Sequence, residues 1–231
     1  MSEKKLLFII LGIFALLIIF LVIFLLIPLK NIYQQSLRLG AEISQVEIAA
    51  GNKDIPLLKE KIKVLNSGLA QTENEFSRLG WVRFIPIAKN YYFDGERGIA
   101  AGKAGLEAAR IFIETIEPYQ DFLGIGKEGG TGAETSQDRI DFLVETVTEI
   151  NSHLDEVENN LNIVAENINQ IDANRYPKEI KGILLREKII EGQNLISQID
   201  QFLTQGRPLI EKADWLLGKD GPRYYLAIFQ N

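Results

Sequence analysis

The sequence predicts a mainly α-helical protein, in which one N-terminal transmembrane helix is followed by an elongated antiparallel helical bundle with coiled-coil-like packing. Three observations predict this fold class: a long apolar run near the N-terminus, apolar residues that recur at steps of three and four over most of the remaining chain, and turns rich in glycine and proline between these stretches. We also expect a short C-terminal strand that begins an α/β domain, most of which is missing from this chain.

The apolar run extends from Leu6 to Ile27 without a charged or strongly polar side chain. At a rise of ~1.5 Å per residue it is about 33 Å long, which matches the hydrocarbon core of a bilayer. It is too long for a cleavable signal peptide, and it ends in Ile27 and Pro28, where a cleavage site would have small residues. Residues 6–28 are therefore predicted to be an uncleaved signal anchor, with the lipid bilayer as their partner.

Basic residues flank both ends of the anchor, Lys4 and Lys5 before it and Lys30 and Arg38 after it. The two sides nearly balance, but the tail of residues 1–5 is short and its charges lie closest to the apolar run. We therefore predict a single-pass protein with a cytoplasmic N-terminus and with the bulk of the chain outside the cytoplasm.

The composition excludes many kinds of enzyme. The chain has no cysteine, one histidine and a net charge of -6. A disulfide framework, a thiolate zinc site, cysteine catalysis and a site with two imidazoles are therefore excluded. An acidic chain has no global basic field for a nucleic-acid backbone, so no nucleic-acid partner is expected. The histidine, His153, is expected to be solvated. We predict no catalytic residue, cofactor or metal, and the sequence leaves open whether a small-molecule ligand binds.

The first extracytoplasmic region, residues 29–123, is predicted to hold three helices. One ends at the turn Ala50–Asp54, which is either a reversal or a kink. The next begins after an N-cap at Asp54 and ends near Leu79. A third helix, rich in glycine and alanine, is expected to begin at the turn Asp94-Gly95-Glu96. Its small side chains let a neighbouring helix approach closely.

The segment 81–93, between the second and third of these helices, is predicted to be non-helical and is dense in aromatic residues. Its candidate membrane-interface residues are Trp81, Arg83, Phe84, Tyr91, Tyr92 and Phe93. With a reversal at Ala50–Asp54, the first helix rises about 30 Å from the membrane and the second descends about 37 Å, which returns this segment to the headgroup level. Closing the helical core and binding a partner are the alternative roles.

Residues 137–218 are predicted to form a helical hairpin. Its first helix carries an unbroken heptad seam, whose residues are Ile140, Leu143, Val147, Ile150, Leu154, Val157, Leu161, Val164, Ile168 and Ile171. Pro177 is expected to open the second helix, which we expect to kink at Gly206-Arg207-Pro208 before a last short helix. The seam is filled either within the chain or by another copy, in which case the protein self-associates through it.

A Gly-rich linker is predicted at 124–136, before the hairpin. It contains the pattern Gly124-x-Gly126-x-x-Gly129, which formally matches a dinucleotide-binding fingerprint. That fingerprint requires a preceding strand and a helix directly after it. Here a predicted helix precedes it and further glycines follow, so we interpret the pattern as a flexible connection.

The chain changes character after Gly218, where a turn and then an aromatic and aliphatic run predict the start of a truncated C-terminal domain at 219–231. The stretch from Leu216 to Asn231, LLGKDGPRYYLAIFQN, resembles the segment that introduces the signature region of the bacterial membrane-protein family called domain of unknown function 4012. In that family an N-terminal anchor and a long helical region precede the segment, and a motif of the type N-x-E-L-R-P-T-G-G-F follows it. The resemblance implies a protein of the bacterial plasma membrane with unassigned activity, and it assigns no catalytic residue.

These patterns together predict a non-enzymatic, membrane-anchored, extracytoplasmic stalk or scaffold that presents a distal domain in the bacterial envelope. One alternative is a sensor ectodomain of the periplasmic helical-bundle type, although the sequence contains neither a second span nor a cytoplasmic output module. The other is the anchor region of an envelope-polymer enzyme whose catalytic domain is absent from this chain, which rests on analogy.

Overall fold

The computed structural model describes residues 3–120, 136–180, 182–219, 221 and 224, and these are mainly helical. The helices in this part are α1 (Glu3–Leu21), α2 (Ile27–Gly51), α3 (Ile55–Ser77), α4 (Lys89–Ile116), α5 (Ser136–Asn169), α6 (Leu185–Glu211) and α7 (Ala213–Leu217). The prediction of a mainly helical chain with one long apolar N-terminal helix is confirmed. The Gly-rich linker before Ser136 and, apart from Tyr224, the predicted C-terminal strand lie outside the described residues.

One continuous helix extends from Glu3 to Gly51, because α1 and α2 are joined by a π-helical turn at Val22–Leu26. Its N-terminal part has a mean hydropathy of 3.5 and no buried residue, and in the described chain it is the helix long and apolar enough to cross a membrane. Pro28 lies just after the π-helical turn, and a proline in a helix disturbs the preceding turn through its ring and its missing N–H. The wider π turn accommodates that disturbance without ending the helix.

The turn between α2 and α3 is a reversal. Lys53 adopts a positive φ of 56°, and the Asp54 side chain caps α3 by accepting a hydrogen bond from the backbone N–H of Leu57 at 3.2 Å. The side-chain amides of Gln35, near the start of α2, and of Gln71, near the end of α3, meet at 2.9 Å. The helices α2 and α3 are therefore antiparallel, and the N-cap predicted at Asp54 is observed.

The later helices also pack on their neighbours in an antiparallel order. The contacts that establish this order are Lys59–Glu117 and Lys103–Glu73 between α3 and α4, Tyr119–Phe142 and Gly105–Val164 between α4 and α5, and Gln193–Ile171 and Arg207–Asp155 between α5 and α6. We name the end where α2 joins the apolar helix the proximal end, and the opposite end the distal end. The connections at 78–88 and 170–184 lie at the proximal end.

The core consists of apolar side chains along the facing sides of these helices. Near the distal end, Ile55 and Ile62 of α3 pack with Ile113 and Ile116 of α4. Towards the proximal end, the small residues of α4 allow α5 to approach, and the cluster there is Ala101, Ala104 and Val164, with Ile168 and Ile196 packed against it. Close approach of α5 thus depends on the alanines and glycines that the sequence concentrates in α4.

The heptad seam of α5 faces the other helices where its side chains are described. Leu154, Val164 and Ile171 are buried, and Leu161 is half-buried. Glu156, on the opposite side of the helix, is exposed. The phase of the apolar pattern therefore matches the buried side of α5.

Three helix boundaries differ from those predicted. The helix α4 begins at Lys89, so Tyr91, Tyr92 and Phe93 lie in its first turns, whereas segment 81–93 was expected to be non-helical. The helix α6 begins at Leu185, eight residues after Pro177, because the intervening residues include Gly182 at a positive φ of 83°.

The third difference is at Pro208, which lies inside α6, and the helix continues to Glu211. Arg207 stabilises this turn by pairing with Glu211 at 2.7 Å and, across to α5, with Asp155 at 2.5 Å and with Glu158. Arg207 thus has carboxylate partners on its own helix and on α5, next to the position at which Pro208 removes a backbone hydrogen bond. The break in the helix therefore falls at Lys212, between α6 and α7.

Candidate membrane-interface site

Trp81 attaches the connection between α3 and α4 to the apolar N-terminal helix. It lies in the short 3₁₀ helix Gly80–Phe84, and its indole N–H donates a hydrogen bond to the backbone carbonyl of Phe24 at 3.3 Å. Its ring also lies 5.6 Å from the ring of Phe20, which stacks on Phe24 at 4.7 Å. The proximal end is therefore anchored to the last turns of the predicted membrane span.

The carbonyl that Trp81 binds lacks the donor that an α-helix normally provides four residues later. Phe24 lies four residues before Pro28, which has no N–H to donate to it. In an apolar environment a backbone carbonyl without a partner costs several kcal/mol. The indole N–H of Trp81 replaces the donor that Pro28 lacks. Pro28 is itself fully buried, although the apolar side chains before it are exposed.

Arg83 and Phe84 extend from the same 3₁₀ helix towards solvent. The Arg83 guanidinium carbon lies 5.0 Å from the centroid of the Phe84 ring, in a cation–π arrangement. Phe84 is 76% exposed and the nearby Ile87 is 88% exposed. An aromatic ring and an aliphatic side chain with so little cover suit a lipid boundary better than water.

The three aromatic residues at the start of α4 have different surroundings. Tyr92 is buried and its ring stacks on that of Phe76 at 4.9 Å, so it closes the core. Burial is the main cause that raises the pKa of Tyr92, and the hydrogen bond with Glu96 is the second. Tyr91 is partly exposed, and its O–H donates to the carbonyl of Arg175 at 3.3 Å. Phe93 is also partly exposed and meets only the edge of Tyr92 among the described ring contacts. Tyr92 thus closes the core, whereas Tyr91 links the start of α4 to the connection after α5.

A buried carboxylate lies directly behind these aromatic residues. The Asp94 side chain is 1% exposed and accepts hydrogen bonds from Arg97 at 3.0 Å, from the Tyr176 O–H at 3.0 Å and from Arg175. Two guanidinium groups and a phenol thus compensate for the loss of water around the charge. The hydrogen bond to Asp94 raises the pKa of Arg175. Burial, followed by the negative charge of Asp94, raises the pKa of Tyr176.

Arg186 extends this arrangement into α6. Its guanidinium donates to the carbonyl of Tyr176 at 2.6 and 3.0 Å and to the carbonyl of Asn174 at 3.3 Å. We name Asp94, Arg97, Arg175, Tyr176 and Arg186 the Asp94 cluster. It ties the start of α4, the connection after α5 and the start of α6 into one unit at the proximal end.

The sequence pattern missed the Asp94 cluster. Asp94 was interpreted as a turn residue that opens a helix, and its partner Arg175 is 81 positions away along the chain. No periodicity relates two such positions. The available signal was Arg175-Tyr176 directly before Pro177, where polar and aromatic residues interrupt the apolar pattern.

No described group of three or more His, Cys, Asp or Glu side chains is arranged to hold a metal ion. His153 is partly exposed and lies 3.5 Å from Glu149 and 3.7 Å from Glu156 on its own helix.

A cleft of about 760 Å³ opens along α4 beside Tyr92. Its Lys103 amino group pairs with both carboxylate oxygens of Glu73 at 3.0 and 3.1 Å, so these charges compensate each other. Neither this cleft nor His153 indicates a reaction or a class of ligand.

No protein-family model, curated protein or solved structure matches this chain. Its function is therefore inferred from the positions and chemistry of its own residues.

Proposed function

We propose that this chain is a single-pass, membrane-anchored, extracytoplasmic stalk or scaffold that presents a distal domain in the bacterial envelope. The observation that carries the proposal is the uninterrupted helix from Glu3 to Gly51, whose first half has the length and hydropathy of a membrane span and whose second half packs on α3. A span and a bundle that share one helix are joined without a flexible linker.

The contacts at the proximal end support a fixed angle between span and stalk. Trp81 joins the α3–α4 connection to Phe24, and Tyr91 and the Asp94 cluster join the start of α4 to the connection after α5. The Asp94 carboxylate is shielded from water, and breaking its contacts would leave a buried charge without a partner. The hydrogen bonds of Trp81 and Tyr91 lie at the surface and add to this link. The rigidity expected of a stalk is therefore concentrated where it leaves the bilayer.

The lengths of the helices support an elongated antiparallel bundle with coiled-coil-like packing. At ~1.5 Å per residue, α2 with its 25 residues is about 37 Å long and α6 with its 27 residues is about 40 Å long. The seam of α5 supplies the apolar steps of three and four that such packing uses. Lys219, which follows α7, would then lie roughly 35 to 40 Å above the bilayer, since α6 ends at the distal end.

The orientation and the interface residues belong to the same proposal. Lys4 and Lys5 favour a cytoplasmic N-terminus, and the resemblance of Leu216 to Asn231 to domain of unknown function 4012 favours a bacterial plasma membrane. The residues proposed to lie at the headgroup level are Trp81, Arg83, Phe84, Tyr91, Tyr92 and Phe93. Tyr92 does so as part of the core, and the others as exposed or half-exposed side chains.

A distance measurement tests the stalk. Because the chain has no cysteine, Asn52→Cys at the distal end and Phe84→Cys at the proximal end each accept a single donor dye. In liposomes with acceptor-labelled lipids, the dye at Asn52 should lie about 35 Å farther from the bilayer surface than the dye at Phe84, since α2 is ~37 Å long. Equal transfer efficiencies at the two positions would show a bundle that lies flat on the membrane, which contradicts a stalk.

The orientation has its own test. Protease added outside spheroplasts should digest the chain after Lys30, while a tag placed before Lys4 stays protected. Loss of the tag together with protection of the rest would contradict the cytoplasmic N-terminus and leave the distance measurement unaffected.

A further inference from the structure

We propose that the connection between α5 and α6 is a second membrane-contact site, at which the hairpin formed by Ile180 and residues 182–184 lies on the lipid headgroup region, at the same end of the molecule as Phe84 and Ile87. The inference rests on the proposed anchor, because it places this hairpin on the bilayer that holds the span. It extends the proposed function by giving the stalk two separate contacts with the membrane surface.

The hairpin displays three apolar side chains that the described chain leaves partly exposed. Ile180, Ile183 and Leu184 are 42%, 40% and 43% exposed, and they occur within five positions of one another. The described distal connection, at 52–54, carries Asn, Lys and Asp instead. Exposed aliphatic residues in a connection need a reason, because such segments normally carry polar turn residues.

The hairpin occupies the end of the molecule from which the predicted span extends. Tyr91 reaches across to the connection after α5, with its ring 5.5 Å from that of Tyr176. Tyr91 follows the connection that Trp81 attaches to Phe24. Two contacts, joined by the stretch of chain from Trp81 to Tyr91, thus link the last turns of the span to the residues that precede the hairpin.

The hairpin is held in a defined shape. Ile180 and Ile183 exchange two backbone hydrogen bonds of 2.9 Å, and Gly182 supplies the positive φ that the tight turn requires. Arg186, the second residue of α6, binds the carbonyls of Asn174 and Tyr176, which precede the hairpin. The apolar side chains are therefore presented on a short, braced loop, which lowers the entropy lost on contact.

The local charge favours an anionic lipid surface as the occupant over a second copy packed end to end, in which the two basic segments would face each other. The chain carries a net charge of -6, yet residues 78–93 contain Arg78, Arg83 and Lys89 and no acidic residue. A basic segment with exposed Phe84 and Ile87 is attracted to anionic headgroups and inserts apolar side chains between them. The hairpin adds Ile180, Ile183 and Leu184 to the same end of the molecule.

Fluorescence quenching in vesicles tests the proposal. The full chain is reconstituted in phosphatidylcholine and phosphatidylglycerol, with one environment-sensitive dye on Ile183→Cys, on Leu16→Cys within the span, or on Phe202→Cys, which replaces an exposed apolar residue of α6. Each variant is compared in vesicles with and without nitroxide lipids, whose nitroxide lies at the headgroup or in mid-chain. We expect strong quenching of the Ile183 dye by headgroup nitroxides, strong quenching of the Leu16 dye by mid-chain nitroxides, and little quenching at Phe202.

The three positions separate failure of this inference from failure of the anchor. Quenching at Leu16 with none at Ile183 overturns the second contact site and leaves the anchor in place. A blue-shifted Ile183 dye that nitroxide lipids do not quench also overturns it, because protein then covers the hairpin. Absence of quenching at both positions overturns the anchor and with it the inference. Equal quenching at Ile183 and Phe202 shows that the dye itself binds the bilayer and contradicts a specific site.

Discussion

Asp94 is the residue with the most demanding environment in the described chain. Its carboxylate is almost fully buried, and its partners come from α4 and from the connection after α5. A buried pair is weak evidence of net stabilisation, but breaking it by removing one partner is costly. Its role is therefore best interpreted as fixing the mutual arrangement of the proximal connections.

The first prediction concerns this carboxylate. Asp94→Asn keeps the shape of the side chain but removes the charge that Arg97 and Arg175 face, and we expect a loss of about 3 kcal/mol of unfolding free energy. The value lies at the low end for a broken buried pair, since both arginines retain some solvent access. Urea denaturation of the detergent-solubilised full chain, followed by circular dichroism, measures it.

The matched control is Glu107→Gln, which removes the exposed carboxylate that Arg110 binds at 2.5 Å. An exposed pair contributes at most about 1 kcal/mol. If Asp94→Asn costs no more than Glu107→Gln, the Asp94 cluster does not stabilise the proximal end.

The second prediction uses the pH dependence of Tyr176, whose pKa is raised by burial and by the charge of Asp94. In the unfolded chain this phenol loses its proton above about pH 10, whereas in the folded chain it keeps it. The unfolded state then binds fewer protons, so the contribution of Tyr176 to stability is complete below pH ~10 and falls as the pH rises. Unfolding free energy above this pH should decline more steeply in the wild type than in Tyr176→Phe. Parallel slopes would rule out a raised pKa at this residue.

At the scale of the elements, the small residues of α4 set how closely its neighbours approach. A Cβ added at Gly95 would collide with the ring of Phe76, which stacks on Tyr92. A Cβ added at Gly98, one turn along the same helix, would meet no atom within 4 Å. Two glycines three positions apart therefore serve different purposes, and only Gly95 is required by packing.

The third prediction compares these two glycines. Gly95→Ala should destabilise the protein by about 1–3 kcal/mol, because the ring must move out of a packed position. Gly98→Ala should stabilise it by about 0.5–1 kcal/mol through helix propensity alone. Thermal unfolding monitored by circular dichroism distinguishes them. A stabilising Gly95→Ala would contradict close packing of Gly95 against the ring of Phe76.

The fourth prediction concerns the seam of α5. Leu154→Ala should cost about 2–5 kcal/mol because Leu154 is buried, and Leu161→Ala should cost less because Leu161 is half-buried. Glu156→Ala, on the exposed face, should stay within about 0.5 kcal/mol of the wild type. Chemical denaturation of the three variants measures the order. Similar losses at all three positions would show that the heptad phase is wrong.

The elements that the sequence predicted well are those with local signals. Asp54 and Pro56 mark the start of α3, and the apolar steps of α5 mark its buried face. The start of α4 was missed because Tyr91 to Phe93 resemble a loop in composition, whereas their contacts with Phe76 and Tyr176 favour a helix. The Asp94 cluster was missed because it joins residues far apart in sequence, and no local pattern encodes such a pairing.

At the scale of the whole molecule, the two tryptophans mark opposite ends. Trp81 contacts the last turns of the apolar helix, whereas Trp215 lies in α7, which follows α6 at the distal end. The proposed stalk places only Trp81 near lipid headgroups. A tryptophan at each end of the molecule thus allows the fluorescence of the two ends to be compared without an added label.

Tryptophan fluorescence of the anchored protein, in liposomes that carry a headgroup-level quencher, therefore tests the central claim most directly. Trp215→Phe leaves Trp81 as the emitter, and Trp81→Phe leaves Trp215. A membrane-anchored stalk predicts strong quenching of Trp81 and little quenching of Trp215. Equal quenching of the two, or stronger quenching of Trp215, would contradict an anchored stalk with its aromatic end at the membrane.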